Sequence, residues 1–398
     1  MHSLSEYWQQ RLIDRQQQHL HRTRRVLMTP QSTIVSVNGD QCVNFSSNDY
    51  LGFANHPSIV NALEQGAKRY GVGSGASHLV CGHSYEHHAL EDELAEFTGR
   101  DRALLFSSGY MANVGVMHAL LNKHTSVFQD KLNHASLLDG AALSAARSVR
   151  FNHNDIDHLT ARLESDEAQH KVIAVDGVFS MDGDVADLSS ICPLAREHNA
   201  CVMVDDAHGF GCLGDTGRGT LEYHQLSQTD VPIYMGTLGK ALGGFGAFVA
   251  GDSTMVDNLV QFARSYVYTT AMPPAMAAAM RVSLTLLTTE AWRRDQLQEH
   301  IHYFTDTCRI NDVPLVPSMT AIQPVLIGDS ETAVLISQQL MEQGCLVVAI
   351  RPPTVLQGQA RLRIALSAEH TVEQLDHLIH TLRDTCKRYG VLNREMSL

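Results

Sequence analysis

Between Asn44 and Gly251 the chain alternates short apolar runs with loops bearing Gly, Ser, Asp or His, and then with helical stretches. The runs are ALLF (103–106), TSVF (125–128), SVRF (148–151), VIAV (172–175), CVMV (201–204), PIYM (232–235) and GAFVA (246–250). Their near-continuous apolarity suits strands covered on both faces, which predicts an α/β fold with a mainly parallel sheet between helices. Polar residues follow the runs directly: Ser107-Ser108-Gly109, Asp130, Asp176-Gly177, Asp205-Asp206 and Thr237. In open α/β sheets the ligand crevice lies at those carboxyl ends.

After Ser265 the pattern changes to an apolar helix through Leu287 and a polar helical stretch to about Thr307. The tail adds three short strand patterns, AIQPVLIG (321–328), LVVAI (346–350) and ARLRIALS (360–367), and a helix from Leu375 to Tyr389. This predicts an amino-terminal helical arm (1–43), a large domain (44–287) and a smaller α+β carboxy-terminal domain (288–398).

Composition narrows the function. The net charge of -13 over 398 residues argues against a nucleic-acid partner, because a phosphate lattice repels such a surface. No run of about 18 apolar residues exists, so no membrane span is expected. The amino terminus lacks the apolar core of a secretory signal. Eight scattered cysteines without a C-x-x-C pair suit reduced, buried thiols and a cytoplasmic location.

Four segments carry candidate chemistry. In CVMVDDAHGFG (201–211) a strand ends on Asp205, with His208 three residues on. In MGTLGKALGG (235–244) Lys240 lies in a glycine-rich loop that lets backbone approach a ligand. KLNHASLLDGA (131–141) places His134 between a strand and a helix, and LFSSGYMAN (105–113) leads a strand into a helix N-terminus, whose free N–H groups suit an anion. Each has an ordinary reading taken alone: a helix cap, a structural histidine, a surface turn. Two nucleotide motifs fail. Gly236 and Gly239 are too close for a P-loop and Ala241 follows the lysine, while GVGSGAS (71–77) follows a helical stretch and not a strand. The run CGHSYEHH (81–88) offers Cys81, His83, His87 and His88 to zinc, but neither spacing nor a second ligand pair supports a metal site, and none is expected. Together, a strand-end Asp-x-x-His and a Gly-flanked Lys on a later strand end supply what pyridoxal 5′-phosphate (PLP) requires. The amine condenses with its aldehyde, and the carboxylate keeps its pyridine nitrogen protonated.

The motifs NFSSNDYLG (44–52), NHASLLDG (133–140), DGVFSMDGD (176–184), VDDAHG (204–209) and GTLGKALGG (236–244) resemble those of the α-oxoamine synthases, fold-type I PLP enzymes, over nearly the whole chain. GSGAS (73–77), YTTAMPPA (268–275), AIRPPTV (349–355) and ARLRIALSAEHT (360–371) are similar to the biotin-pathway branch. That branch joins L-alanine to a pimeloyl thioester, on coenzyme A or acyl carrier protein, with loss of carbon dioxide. Asp176 stands where that branch usually has Glu, and GTLGKALGG is closer to the glycine C-acetyltransferase branch, which leaves glycine with acetyl-CoA as an alternative. A non-catalytic PLP-fold sensor is a remote alternative, since the chain has no room for a DNA-binding domain before Asn44. The resemblance implies that Lys240 links to the cofactor, Asp205 pairs with the pyridinium, His208 contacts the ring oxygen and His134 stacks on the ring. It places Gly109, Tyr110, Ser180 and Thr237 against the cofactor, with Thr270 reaching the phosphate from the second subunit of a homodimer. Asn48 and Arg363 would hold the amino-acid carboxylate, with His134 beside the substrate, and Arg22, Arg351 and Thr354 would serve the acyl-thioester side.

Overall fold

The computed structural model describes residues 3–392. Contacts divide them into a first unit, up to Tyr50 with 181–183 and from Asp295 onward, and a second, 51–180 with 184–294. The expected helical arm is helical only over α1 (Leu4–Gln17), whose start is closed by a capping box between Ser3 and Glu6. Beyond it the chain makes an antiparallel hairpin of β1 (Ile34–Val37) and β2 (Asp40–Asn44). The correction has a local cause. Asn38 and Gly39 both take positive φ, +54° and +106°, the combination a two-residue hairpin turn needs.

The seven apolar runs of the second unit become one sheet: β3 (Arg102–Phe106), β4 (Thr125–Asp130), β5 (Arg147–Phe151), β6 (His170–Asp176), β7 (Ala200–Asp205), β8 (Ile233–Thr237) and β9 (Ala247–Gly251). Their order is β3-β9-β8-β7-β6-β4-β5, with β9 antiparallel to both neighbours and every other pairing parallel. Central positions such as Val127, Ile173, Val202, Val204 and Val249 are almost wholly buried. Each contributes about 1.5–3 kcal/mol by leaving water, which explains why the runs are apolar on successive positions and not alternating.

Helices α2 (Pro57–Tyr70), α3 (Tyr85–Thr98), α4 (Gly109–Leu120) and α5 (Ala135–Leu143) belong to the same unit. Leu137 and Ala141 of α5 share a core with Val116 and Met117 of α4 and with Val127 of β4. Helix α2 packs on the helix Pro274–Thr289 so closely that a Cβ at Gly66 would lie 2.7 Å from Ala275 Cα. The expected apolar helix from Ser265 begins only at Pro274: a short turn, Arg264–Val267, is followed by non-helical chain to Pro273. Pro273 and Pro274 explain the break, since the residue before a proline is pushed out of helical conformation and proline suits a helix's first position.

In the first unit, β10 (Ile322–Gly328), β11 (Cys345–Leu346), β12 (Val348–Ile350) and β13 (Ala360–Ala365) complete two three-stranded sheets, β1-β2-β11 and β10-β13-β12. The pattern LVVAI, expected as one strand, divides at buried Val347 so that its two halves pair in different sheets. On central β13 the period of two puts Arg361 and Arg363 on one face and Leu362 and Ile364 on the other. No helix among the described residues is long and apolar enough to cross a membrane.

Candidate active site

The chemistry of the second unit gathers where parallel strands end. Register places Asp176, the last residue of β6, beside Asp205, the last of β7, and Asp205 beside Met235 of β8. Two residues on, Thr237 closes β8, and the loop after it carries Lys240.

That loop is held by its own backbone and by Thr237. The Thr237 hydroxyl donates to Gly246 O (3.0 Å) and accepts from Gly239 N–H (3.2 Å), while Gly243 N–H returns to Lys240 O (2.8 Å). Gly243 has φ +68°, and a Cβ there would come within 2.3 Å of the backbone at Phe53 and Ala54. Only glycine meets both demands, so the loop's shape depends on it. Lys240 Nζ projects from this loop to His208 Nε2 at 2.8 Å.

Asp205 is anchored from both sides. Its Oδ1 accepts from Ala207 N–H (3.0 Å), and its Oδ2 accepts from Asn113 Nδ2 (2.6 Å) on α4. Asn113 also donates to Ser136 Oγ (2.8 Å), and Ser136 Oγ meets His134 Nδ1 (2.7 Å). The His134 ring caps α5, accepting from Ser136 N–H at Nδ1, and the His134 backbone N–H donates to Asp176 Oδ2 (2.9 Å). One polar chain therefore links α4, β7, α5 and β6.

Protonation follows from this packing. The protein around His134 depresses its imidazole below the usual value, with Asp205 pulling upward and Lys240 downward, so the ring is neutral although one side is open to solvent. Burial, then the neighbouring Asp205, pushes the Asp176 carboxyl well above the ordinary range. Burial and Asp205 together therefore favour its protonated form, and among the described residues its Oδ1 has no hydrogen-bond partner. Behind the site, burial lifts Asp206 to about 7 despite the donors Thr220 N–H and Tyr234 OH, each at 2.8 Å.

Gly109 and Tyr110 open α4, whose N-cap Ser108 accepts from Met111 N–H (3.3 Å). The Tyr110 hydroxyl donates to Asp139 (2.6 Å). Ser180 lies on the loop after β6, half-buried. Thr270 is exposed, in an antiparallel bridge with Ser77.

The remaining predicted residues lie in the first unit and form two groups there. Arg363, buried on β13, donates to Asn48 Oδ1 (3.1 Å) and to Tyr50 OH (3.4 Å). Arg22 donates to Thr354 Oγ1 (3.2 Å), and Arg351 to the carbonyls of His19 and His21. A cavity of about 620 Å³ is lined by Arg22, Arg25, Arg351, Thr354, Val334 and Ser337 among others. Burial, and then Arg22 and Arg25 nearby, lowers the Arg351 pKa from its usual value.

Comparisons place this arrangement. The family "Aminotransferase class I and II" matches residues 40–382. The chain is 53% identical to the 8-amino-7-oxononanoate synthase of Saccharophagus degradans, over 97% of this chain and 98% of that one. It is 55% identical to the enzyme of the same name from Methylococcus capsulatus, over 92% and 94%. The chain belongs to the class I and II aminotransferase family, in its α-oxoamine synthase branch. Among solved structures, serine palmitoyltransferase from Sphingomonas wittichii superimposes with a TM-score of 0.93 at 30% identity, covering 98% of this chain and all of that one. The 8-amino-7-oxononanoate synthase of Francisella tularensis gives 0.77 at 32% identity, covering 88% and 99%.

The cofactor of this α-oxoamine synthase is PLP, and a 28% identical serine palmitoyltransferase with a TM-score of 0.92 carries it. The residues fit the group. There is an amine on a preformed loop, one anchored carboxylate at a strand end, a neutral imidazole, and a helix N-terminus for a phosphate. Sequence reasoning missed Asn113 and Ser136, which position Asp205 and His134. Both stood inside quoted motifs, SGYMAN and NHASLLDG; a polar residue facing inward on an otherwise apolar helix was the available signal.

Proposed function

We propose that the protein joins L-alanine to a pimeloyl thioester, giving 8-amino-7-oxononanoate, carbon dioxide and free thiol, a step of biotin biosynthesis. The observation that carries this reading is 51–55% identity, over more than nine-tenths of the chain, to curated enzymes of that name.

PLP when bound supplies an electron sink for the charge that develops at the amino-acid α-carbon. The protein's part is positioning and proton transfer. Lys240 Nζ, set by His208, removes the α-proton and later returns one. Asp205, fixed by Asn113 and Ala207 N–H, would hold the cofactor's pyridine nitrogen in its protonated form. His134 would offer a neutral ring to the cofactor, without adding a second positive charge beside the lysine. Arg363, with Asn48, grips the amino-acid carboxylate; a guanidinium fork suits this because it binds two oxygens in one plane. Arg22, Arg351 and Thr354 receive the acyl side. Three guanidiniums crowded around one cavity repel one another, and an anionic group relieves that repulsion.

Thr270 acts, in this reading, from the second subunit of a homodimer. Exposed apolar side chains support a covered surface: Val72, Val80 and Tyr268 are 87%, 76% and 72% exposed. Product detection by mass spectrometry tests the substrate assignment. L-alanine with pimeloyl-CoA should give 8-amino-7-oxononanoate, with glycine and acetyl-CoA far weaker. The reverse preference would move the protein to the glycine C-acetyltransferase branch and make the GTLGKALGG loop the better guide.

A further inference from the structure

We propose that His83, His88 and Glu91 form a binding site for a divalent transition-metal ion of the Zn²⁺ class. The three residues each offer a ligand atom, and these atoms lie within 4.8 Å of one another. His83 stands in the turn before α3; His88 and Glu91 are three residues apart on the helix, hence on one face. His83 Nε2 is 3.9 Å from Glu91 Oε2, and His88 Nε2 is 3.8 Å from Asp92 Oδ2. The His83–Glu91 gap is too long for a hydrogen bond, yet it matches what one ion bridges with bonds of about 2.0–2.2 Å.

The surrounding bonds prepare the ligands. Glu91 Oε1 accepts from Leu105 N–H (2.9 Å), which fixes the carboxylate and leaves Oε2 toward His83. His83 Nδ1 lies 2.9 Å from His78 Nδ1. With the shared proton on His83, its Nε2 lone pair points to Glu91, and His78 serves as the outer partner that ligating histidines commonly have.

The other grouping, His78, His83 and His87, is less suited. His87 Nε2 must donate to Met272 O (2.8 Å), and its Nδ1 accepts from Ser84 N–H (3.0 Å), so neither nitrogen is spare. Cys81 belongs to neither group. An ion held by the first set would staple the turn before α3 to the helix. The same segment reaches the 270–272 chain through the Ser77–Thr270 bridge and the His87–Met272 contact.

The test uses the PLP-loaded, full-length protein, stripped with a chelator and titrated with Zn²⁺ and with Co²⁺ as a spectroscopic stand-in. One ion per chain should bind, Co²⁺ should show ligand-field absorption, and the melting temperature should rise by about 3–5 °C. His88→Ala changes an exposed side chain and should weaken binding by about 100-fold, as should Glu91→Gln; Cys81→Ser should leave it unchanged. Absence of stoichiometric binding would overturn the site. So would affinity that survives His88→Ala, or a thiolate band lost in Cys81→Ser, because either places the ion elsewhere.

Discussion

His134 and His153 both follow sheet strands that end side by side, β4 and β5, and both have carboxylates nearby, yet one is neutral and the other cationic. His134 bonds to the Ser136 hydroxyl, no carboxylate among the described residues hydrogen-bonds its ring, and the protein packed around it keeps it neutral. His153 is gripped at both nitrogens, by Asp130 at 3.1 Å and Asp184 at 2.8 Å. Burial would depress it, but the two hydrogen-bonded carboxylates outweigh burial and raise it to about 10. Direct contact, not mere proximity, decides the outcome. The neutral histidine belongs to the chemistry; the charged one fastens the loop that carries Ser180 and Asp184 to the strand ends. Variants in the first region should therefore remove activity and spare stability, and variants in the second should do the reverse.

The largest effect is expected at Lys240. Lys240→Ala should lower turnover by about 10³-fold or more while leaving the urea midpoint nearly unchanged; residual activity near wild type would remove the lysine from the mechanism. Asp205→Asn should cost about 10²-fold or more in turnover with the protein still folded, because the replacement cannot hold a proton on the pyridine nitrogen by charge. On the other side, His153→Gln leaves Asp130 buried without its cation and should destabilise the fold by about 3 kcal/mol in urea unfolding. Its pH dependence has a definite sign. The folded value lies above the ordinary 6.5, so the stabilisation is complete below 6.5 and disappears as pH rises through about 10. The gap in urea midpoint between wild type and His153→Gln should thus be widest near pH 6 and close toward pH 10; a gap that widens with pH would contradict the clamp. The smallest effect is expected at Asn113, which positions Asp205: Asn113→Ala should slow turnover about tenfold, the worth of one charge-assisted hydrogen bond.

Much of this was legible in the chain. All seven apolar runs became strands, because burial on both faces leaves a strong one-dimensional signal. Lys240 and His208 were picked out from separate loops and lie 2.8 Å apart, and Asn48 with Arg363 also meet. Direction was not legible: GAFVA looks like any other buried strand, yet β9 runs antiparallel to both neighbours. Nor was the division of LVVAI between two sheets, since apolar residues record burial and not partners. The hairpin inside the expected helical arm was signalled by Asn38-Gly39, which is a turn pair when strand patterns flank it. Asn113 and Ser136 escaped because their importance lies in contacts between distant segments. That His134 is neutral and His153 cationic was equally hidden, as both are simply strand-end histidines in the sequence.

The central claim is that Lys240 is the residue covalently linked to PLP, and borohydride reduction of the PLP-loaded protein followed by peptide mass mapping tests it most directly. The account predicts a pyridoxyl-phosphate adduct on the peptide containing Lys240 and no adduct in Lys240→Ala. An adduct on another lysine, or one that survives Lys240→Ala, would contradict it.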